Sequence, residues 1–489
     1  MRQSGILLHI TSLPGPEGCG TLGQEAREFV DFLAQAGMSI WQVLPISPTG
    51  YGESPYQSFS TFAGNTNMID LRTLVEEGLL SNLPPFYTQD MSRVDFPNVM
   101  IYKEDMLRLA YREGRAKVKA QQEAFRKEQA HWLEDYALFR AIKRHFNNLS
   151  WMDWPDEALR KRYPDAMAFY RAQFADEIDF QVFTQYLFFR QWSALKAYAN
   201  GKGIQLFGDM PIYVAMDSAD TWANPQCFQL DINRRPRHVA GVPPDYFSQD
   251  GQLWGNPLYA WKAHRKNRYA WWLQRLSAMG SYFDLIRVDH FIGFANYYAV
   301  RYGSRTARWG RWRIGPGRHF FERVKKALPD IGIIAEDLGA VNDRVRKLLR
   351  FCGYPGMKVL CFAFSGGDDN VHLPQHVTPN SVYYTGTHDN NTVLGWWEAA
   401  PDYEKGRARY VLNMKENDHI CDKMMEAVFM SRAQRAMVPM QDVLHLPASA
   451  RMNLPGTLGS NWLWRMSAQA LTPELARKLK ELNVRAKRA

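Results

Sequence analysis

The sequence predicts an α/β fold, a closed parallel (β/α)8 barrel of one unit over residues 1–489 with subdomains inserted around its carboxyl-terminal face. Three observations point there. Eight short apolar or β-branched runs are bounded by loop chemistry, as buried parallel strands are. Most are separated by segments whose apolar residues recur three and four apart, the helical period. Polar side chains capable of chemistry gather where the runs stop.

In chain order, GILLHI near Gly5 is the first strand, and QEAREFVDFLAQAG from Gln24 the helix after it. SIWQVLPI from Ser39 is the second. The stretch to IQLFGDMPIYV at Ile204, the third strand, is far longer than one crossover needs, so residues 47–203 form an insertion between strands 2 and 3. Its middle, Tyr102 to Tyr186, is rich in Arg, Lys, Glu, Gln and Ala with intermittent Leu, Phe and Trp, and reads as helical. Residues 215–266, between strands 3 and 4, carry Pro, Gly, Asn and aromatics and read as a loop-rich insertion. The only helix expected from there to the fourth strand is NRYAWWLQRLSAMG from Asn267. LIRVDHF at Leu285 is the fourth strand, IIAEDLG at Ile333 the fifth, MKVLCFAF at Met357 the sixth, SVYYTGTHD at Ser381 the seventh and AMVPMQDVLHL at Ala436 the eighth. Helical segments start near Pro316, Val341 and Asp418, and a last helix opens with Thr472 as N-cap and Pro473 in its first turn.

Bulk properties narrow the class. Hydrophobic content of 46% and charged content of 22% fit a folded globular chain. Five scattered cysteines without a C-x-x-C spacing argue against a disulfide framework or a cysteine-rich zinc site. The apolar run in MRQSGILLHITSLPG is too short for a secretory core, and no stretch approaches a membrane span, so a reducing cytoplasm is the expected compartment and no membrane partner is expected. The net charge of +10 comes from mostly dispersed residues, with a terminal cluster from Arg477 to Arg488 read as a solvated helix face, so no nucleic-acid partner is expected.

Gly18, Gly20 and Gly23 spell G-x-G-x-x-G, but the turn is lengthened by TSLPGPE and no acid stands near position 43 to hold a ribose. The glycines are expected to line the barrel mouth instead. There is no phosphate-cradling G-x-x-x-x-G-K and no H-E-x-x-H, and Asp368, Asp369 and Asn370 lack calcium-loop spacing. No cofactor and no metal are expected.

The strand ends carry His9 and Ser12 in the first, Asp209 in the third, Arg287, Asp289 and His290 in the fourth, Glu336 and Asp337 in the fifth, His388 and Asp389 in the seventh, and Gln441 and Asp442 in the eighth. Acids converging on one mouth repel one another, a cost that a reaction can justify. Paired carboxyls flanking a bond are the machinery of glycoside chemistry. Arg287 and Asp289, two apart, share a strand face, and a carboxylate beside a fixed cation suits a nucleophile. Glu336 has no adjacent basic residue and suits a general acid and base. Asp389 can stabilise positive charge developing on a sugar. Tyr51, Tyr56, Tyr246, Phe247 and Trp254 sit among Gly, Pro and Asn, where flat faces can stack on pyranose rings.

Beyond these patterns, nearly the whole chain resembles the amylomaltases, the 4-α-glucanotransferases of glycoside hydrolase family 77 in the α-amylase clan. The stretches that carry the resemblance are HITSLPGPEGCGTLG from His9, SPYQSFSTFAGN from Ser54, GDMPIYVAMDSADTWANP from Gly208, AGVPPDYFSQDGQLWGNPLYAW from Ala240, RVDHFIGF from Arg287, AEDLG from Ala335, TGTHDNNT from Thr385 and RMNLPGT from Arg451. The resemblance implies Asp289 as nucleophile, Glu336 as acid/base and Asp389 as the stabilising carboxylate. It places Arg287, His290, His388, Asp209, Tyr56, Asp70 and Trp254 at the substrate site, and implies that the segment from Asp245 to Trp254 closes over the acceptor. The implied reaction transfers α-1,4-glucan segments between maltodextrin or starch chains with retention and without a cofactor. A hydrolase of the same clan and a non-catalytic glucan-binding protein are the alternatives. Ile292 and Asn391 depart from the family pattern, which has Arg and Asp there.

Overall fold

The computed structural model describes residues 2–244 and 248–488. Among the described residues twelve strands fall into two sheets. Strands β1 (Gln3–Leu7), β2 (Ile40–Gln42), β3 (Gln205–Met210), β6 (Leu285–Val288), β9 (Ile333–Ala335), β10 (Gly356–Val359), β11 (Ser381–Tyr384) and β12 (Arg435–Pro439) close in that order into an eight-stranded barrel, all neighbours parallel. The fold is the expected (β/α)8 barrel. Its strands are short and buried, which is why they read as continuous apolar runs rather than alternating ones. Gly5 is required by close approach, since a Cβ there would sit 2.3 Å from the Ile40 carbonyl oxygen on the neighbouring strand.

Helices cover the outside, among them Gln24–Gln35, Gly317–Ala327, Asp343–Cys352 and Ile420–Met430. Pro473–Arg485 ends the helical set, and Thr472 caps it by accepting from the Leu475 N–H. The terminal basic cluster divides. Arg488 is buried and donates to the carbonyls of Phe429, Ala433 and Gln3, so it is a chain-end lock and not part of a solvated face.

Between β2 and β3 lie the helices Phe96–Gly114, Lys119–Glu128, Leu133–His145, Pro164–Gln173 and Ala175–Gly201. The last is anchored by two buried glutamines. Gln185 pairs with the backbone of Gly64 (2.8 and 3.0 Å) and Gln191 with that of Asp70 (2.8 and 2.9 Å).

The segment before the fourth barrel strand is more regular than its loop-like composition suggests. It contains β4 (His238–Val242) and β5 (Gln252–Pro257), besides the helices Ala219–Ala223, Trp261–Lys266 and Ala270–Tyr282. With β7 (Asn296–Arg301) and β8 (Arg311–Ile314), they form an antiparallel sheet in the order β5-β4-β7-β8. The signal was weak because glycines and prolines at Gly241, Gly255 and Pro257 interrupt the apolar alternation from which strands are recognised.

Candidate active site

Three adjacent strands, β3, β6 and β9, bring the central residues together. Beyond their ends the ladder continues through Asp289 N–H to Met210 O (3.0 Å), Phe291 N–H to Glu336 O (3.0 Å) and Glu336 N–H to Val288 O (3.1 Å). Register sets Asp209 opposite Arg287. Arg287 donates to both oxygens of Asp209 (2.8 and 2.7 Å) and forms a 2.7 Å ion pair with Asp289. The same-face expectation for Arg287 and Asp289 is therefore met by direct contact. Arg287 and Asp209 are buried, whereas the Asp289 side chain keeps 28% of its surface and faces the opening.

Glu336 is buried beside this pair. One carboxyl oxygen accepts from the His290 N–H (2.8 Å) and the other from the Leu338 N–H (2.6 Å). Burial, and after it the negative charge of Asp289, pushes the Glu336 carboxyl up to about 8, against the opposing pull of Arg287 and the two N–H donors. It therefore holds a proton at neutral pH. His290 has a left-handed backbone (φ 49°) that turns its N–H onto Glu336, and burial lowers its imidazole to about 4, so the ring is neutral.

The third carboxyl is held from another side. Asp389 follows β11 by five residues, accepts from Asn453 Nδ2 (2.7 Å) through its side chain and from Arg451 (2.5 Å) through its backbone oxygen. His388 Nε2 stands 3.4 Å from the Asp389 carboxylate and 2.8 Å from the hydroxyl of Tyr56, which donates to Asp209 (2.7 Å). Tyr56 and His388 are stacked at 5.3 Å, and Trp254 meets His290 edge-on at 4.8 Å.

One connected cluster thus contains Asp289, Glu336, Asp389, Arg287, His290, His388, Asp209, Tyr56 and Trp254. Asp70 does not join it. Its carboxylate caps the helix Leu71–Glu76 through the Thr73 N–H and is taken up by Thr21 and Arg72, inside a network where Glu17 pairs with Lys103 and receives the Leu71 N–H. A Cβ on Gly23 would lie 2.0 Å from that carboxylate, so the third glycine of the G-x-G-x-x-G pattern makes room for Asp70. Asp337 and Asp442 are likewise internal acceptors, the first for the Met357 N–H and the second for the Thr385 hydroxyl and the Val393 N–H. Tyr51 is exposed, and Tyr246 and Phe247 lie outside the described residues. Asn453 and Arg451 grip Asp389 from over sixty residues away, and nothing local in the sequence shows that contact.

Ile292 is buried in a short turn, Phe291–Phe294, where it packs as a core residue. Asn391 borders a small cavity lined also by His9, His388, Gln441 and Arg451. Among the described residues one other group has metal-ligating atoms in proximity, His419, Cys421 and His445, within 4.8 Å of one another. The two imidazoles stack in parallel planes at 4.0 Å and 7°, so their in-plane lone pairs do not converge on one point.

A closed parallel barrel that gathers carboxyls and a buried arginine at the carboxyl ends of its strands belongs to the (β/α)8 enzymes. A family model described as 4-alpha-glucanotransferase matches residues 8–472. A 4-alpha-glucanotransferase of Streptococcus pneumoniae is 47% identical, covering 98% of this chain and 96% of its own, and one from Thermus thermophilus is 46% identical over 98% of both. The solved amylomaltase of Streptococcus agalactiae in complex with acarbose superposes over 100% of both chains with a TM-score of 0.96 at 40% identity. The chain belongs to the 4-alpha-glucanotransferase family.

Proposed function

We propose that this 4-alpha-glucanotransferase works by double displacement, passing α-1,4-glucan segments from one chain to the 4-hydroxyl of another with retention at the anomeric carbon. The Asp289 carboxylate attacks that carbon while Glu336 gives its proton to the departing 4-oxygen, so the C–O bond breaks and a glycosyl ester forms. The acceptor's 4-hydroxyl then returns a proton to Glu336 as its oxygen displaces Asp289. Asp389, held by Asn453 and His388, faces the positive charge developing on the sugar, and Arg287 holds Asp289 in place from its seat on Asp209. Trp254 and Tyr56 supply ring faces for the glucan, and the expected workplace is the cytoplasm.

The observation that carries this reading is Glu336, buried next to Asp289, where burial and that neighbouring charge push its carboxyl up to about 8. A buried carboxyl that keeps its proton beside a carboxylate ion-paired with Arg287 can act as acid next to a nucleophile in one site. Maltotriose tests the transfer, with glucose and a ladder of longer oligosaccharides as the expected products. A rise in reducing ends with every turnover would identify a hydrolase instead. Maltosyl fluoride, whose leaving group needs no acid, tests the ester. Glu336→Gln enzyme should gain one maltosyl mass on Asp289, and an unmodified Asp289 peptide under turnover would overturn the covalent step.

A further inference from the structure

A buried carboxylate outside the catalytic cluster holds the loop that carries Asp389. That loop runs from Thr385, just past β11, to Val393, which opens the helix Val393–Ala399, and Asp389 is the middle residue of the arc. Both feet rest on one side chain. The Thr385 hydroxyl donates to Asp442 Oδ2 (2.6 Å) and the Val393 N–H to Asp442 Oδ1 (2.7 Å). Asp442 stands just past β12, the neighbouring strand, and is 1% exposed.

The apex between the feet is closed on itself. Thr387 donates from its N–H and its hydroxyl to Asn390 Oδ1 (2.8 and 3.0 Å), and the Asn390 N–H returns to the Thr387 carbonyl (3.2 Å). Its aim is therefore decided where the arc is attached. On the outer side the Asn453 N–H reaches the His388 carbonyl (3.1 Å), beside the two contacts to Asp389 already described. On the inner side the attachment is Asp442. The first foot also continues the barrel ladder, because the Thr385 carbonyl accepts from the Cys361 N–H (3.1 Å). The second foot is the first N–H of a helix, which has no partner within that helix.

Two donors facing one point call for a group with two acceptor oxygens and no hydrogen of its own. An asparagine would turn an NH2 toward one of them, whereas a carboxylate satisfies both. Burial pushes the Asp442 carboxyl up to about 6, against the pull of the two donors and of His445, so it is ionised at neutral pH. No lysine or arginine pairs with it among the described residues. Burying a charge without a cation is destabilising, and the strands themselves are already joined through Tyr383 and Tyr384 opposite Ala436 and Met437. The charge serves the loop.

We propose that Asp442 is a positioning residue for the transfer reaction, tying both feet of the arc so that the Asp389 carboxylate is aimed at the sugar. The assignment rests on the role given to Asp389 above. Maltotriose transfer by the full-length enzyme, measured in a double-mutant cycle, tests it. Asp442→Asn should lower kcat by about 30- to 100-fold with KM within about twofold of wild type, since a misaimed carboxylate weakens the transition state more than substrate binding. Thr385→Val removes one foot only and should lower kcat by about 5- to 10-fold. Asp389→Asn is the reference, with kcat lower by about a thousandfold. Because Asp442 acts through Asp389, adding Asp442→Asn or Thr385→Val to Asp389→Asn should lower kcat by less than about threefold more. Losses that multiply in the double variants would overturn the proposal, since they mark general damage to the fold. Thr385→Val supplies the same cycle where Asp442→Asn does not fold. A low kcat in Asp389→Asn beside wild-type kcat in Asp442→Asn would overturn the positioning role alone. Wild-type kcat in Asp389→Asn would overturn the mechanism itself, and the positioning role with it.

Discussion

Replacing Glu336 by Gln should change stability with opposite sign at the two ends of the pH range. The Glu336 carboxyl stands at about 8 in the folded protein against 4.5 for an unperturbed side chain. Below 4.5 both states are protonated and the group contributes nothing. Between 4.5 and 8 the unfolded chain releases the proton and the folded one keeps it, so wild-type stability falls as pH rises. At about 1.36 kcal/mol per pH unit the loss reaches ~5 kcal/mol by pH 8. Gln cannot ionise and escapes that loss. It has one acceptor where Glu336 has two, so one of the N–H donors of His290 and Leu338 loses its partner at a cost of about 1–3 kcal/mol at every pH. For a chain of 489 residues the unfolding entropy is about 1 kcal/mol per degree. The variant should therefore melt about 1–3 °C below wild type at pH 4.5 and about 2–4 °C above it at pH 8.5. Scanning calorimetry in a pH series measures the crossing. A melting difference that stays constant from pH 4.5 to 8.5 would refute the claim that Glu336 is held protonated.

Further outcomes follow from the same geometry. Arg287→Gln strands the buried Asp209 carboxylate and should cost about 3–5 kcal/mol, read as a melting temperature lower by several degrees, and unchanged melting would show that the pair is not a buried ion pair. Asn453→Ala should lower kcat by about 100-fold with little change in KM, because Asp389 loses its aim and not its charge; a rise in KM alone would make Asn453 a binding residue. Asp70→Ala removes a helix cap worth about 1–2 kcal/mol and should leave kcat and KM at 25 °C untouched, so a large rise in KM would restore Asp70 to the substrate site.

The barrel and the central carboxyls were legible because strand ends in this architecture are marked by the switch from apolar to ionisable residues, as in LIRVDHF and IIAEDLG. Asp209, Arg287, Asp289 and Glu336 all meet where that switch puts them. Asp70 stands apart from that meeting point because its local motif is equally that of an N-cap, the place it takes at the start of Leu71–Glu76. The outer sheet was missed because its strands borrow their partners from both sides of β6, a pairing that no local alternation records. Asn453 shows the same limit, since its contact with Asp389 belongs to the loop path and not to its own neighbourhood.

The pairing of β1 with β12, locked by Arg488 on the carbonyls of Gln3, Phe429 and Ala433, bears on how the molecule comes into being. On the ribosome the first strand emerges early and then waits for more than four hundred residues before its second neighbour exists. Until then the sheet has two open edges, the state most exposed to mispairing. Barrel closure therefore waits on the last strand to be made. The same adjacency of the chain ends means that a short linker could join them and new termini could be opened elsewhere, turning a slow final step of assembly into an early one.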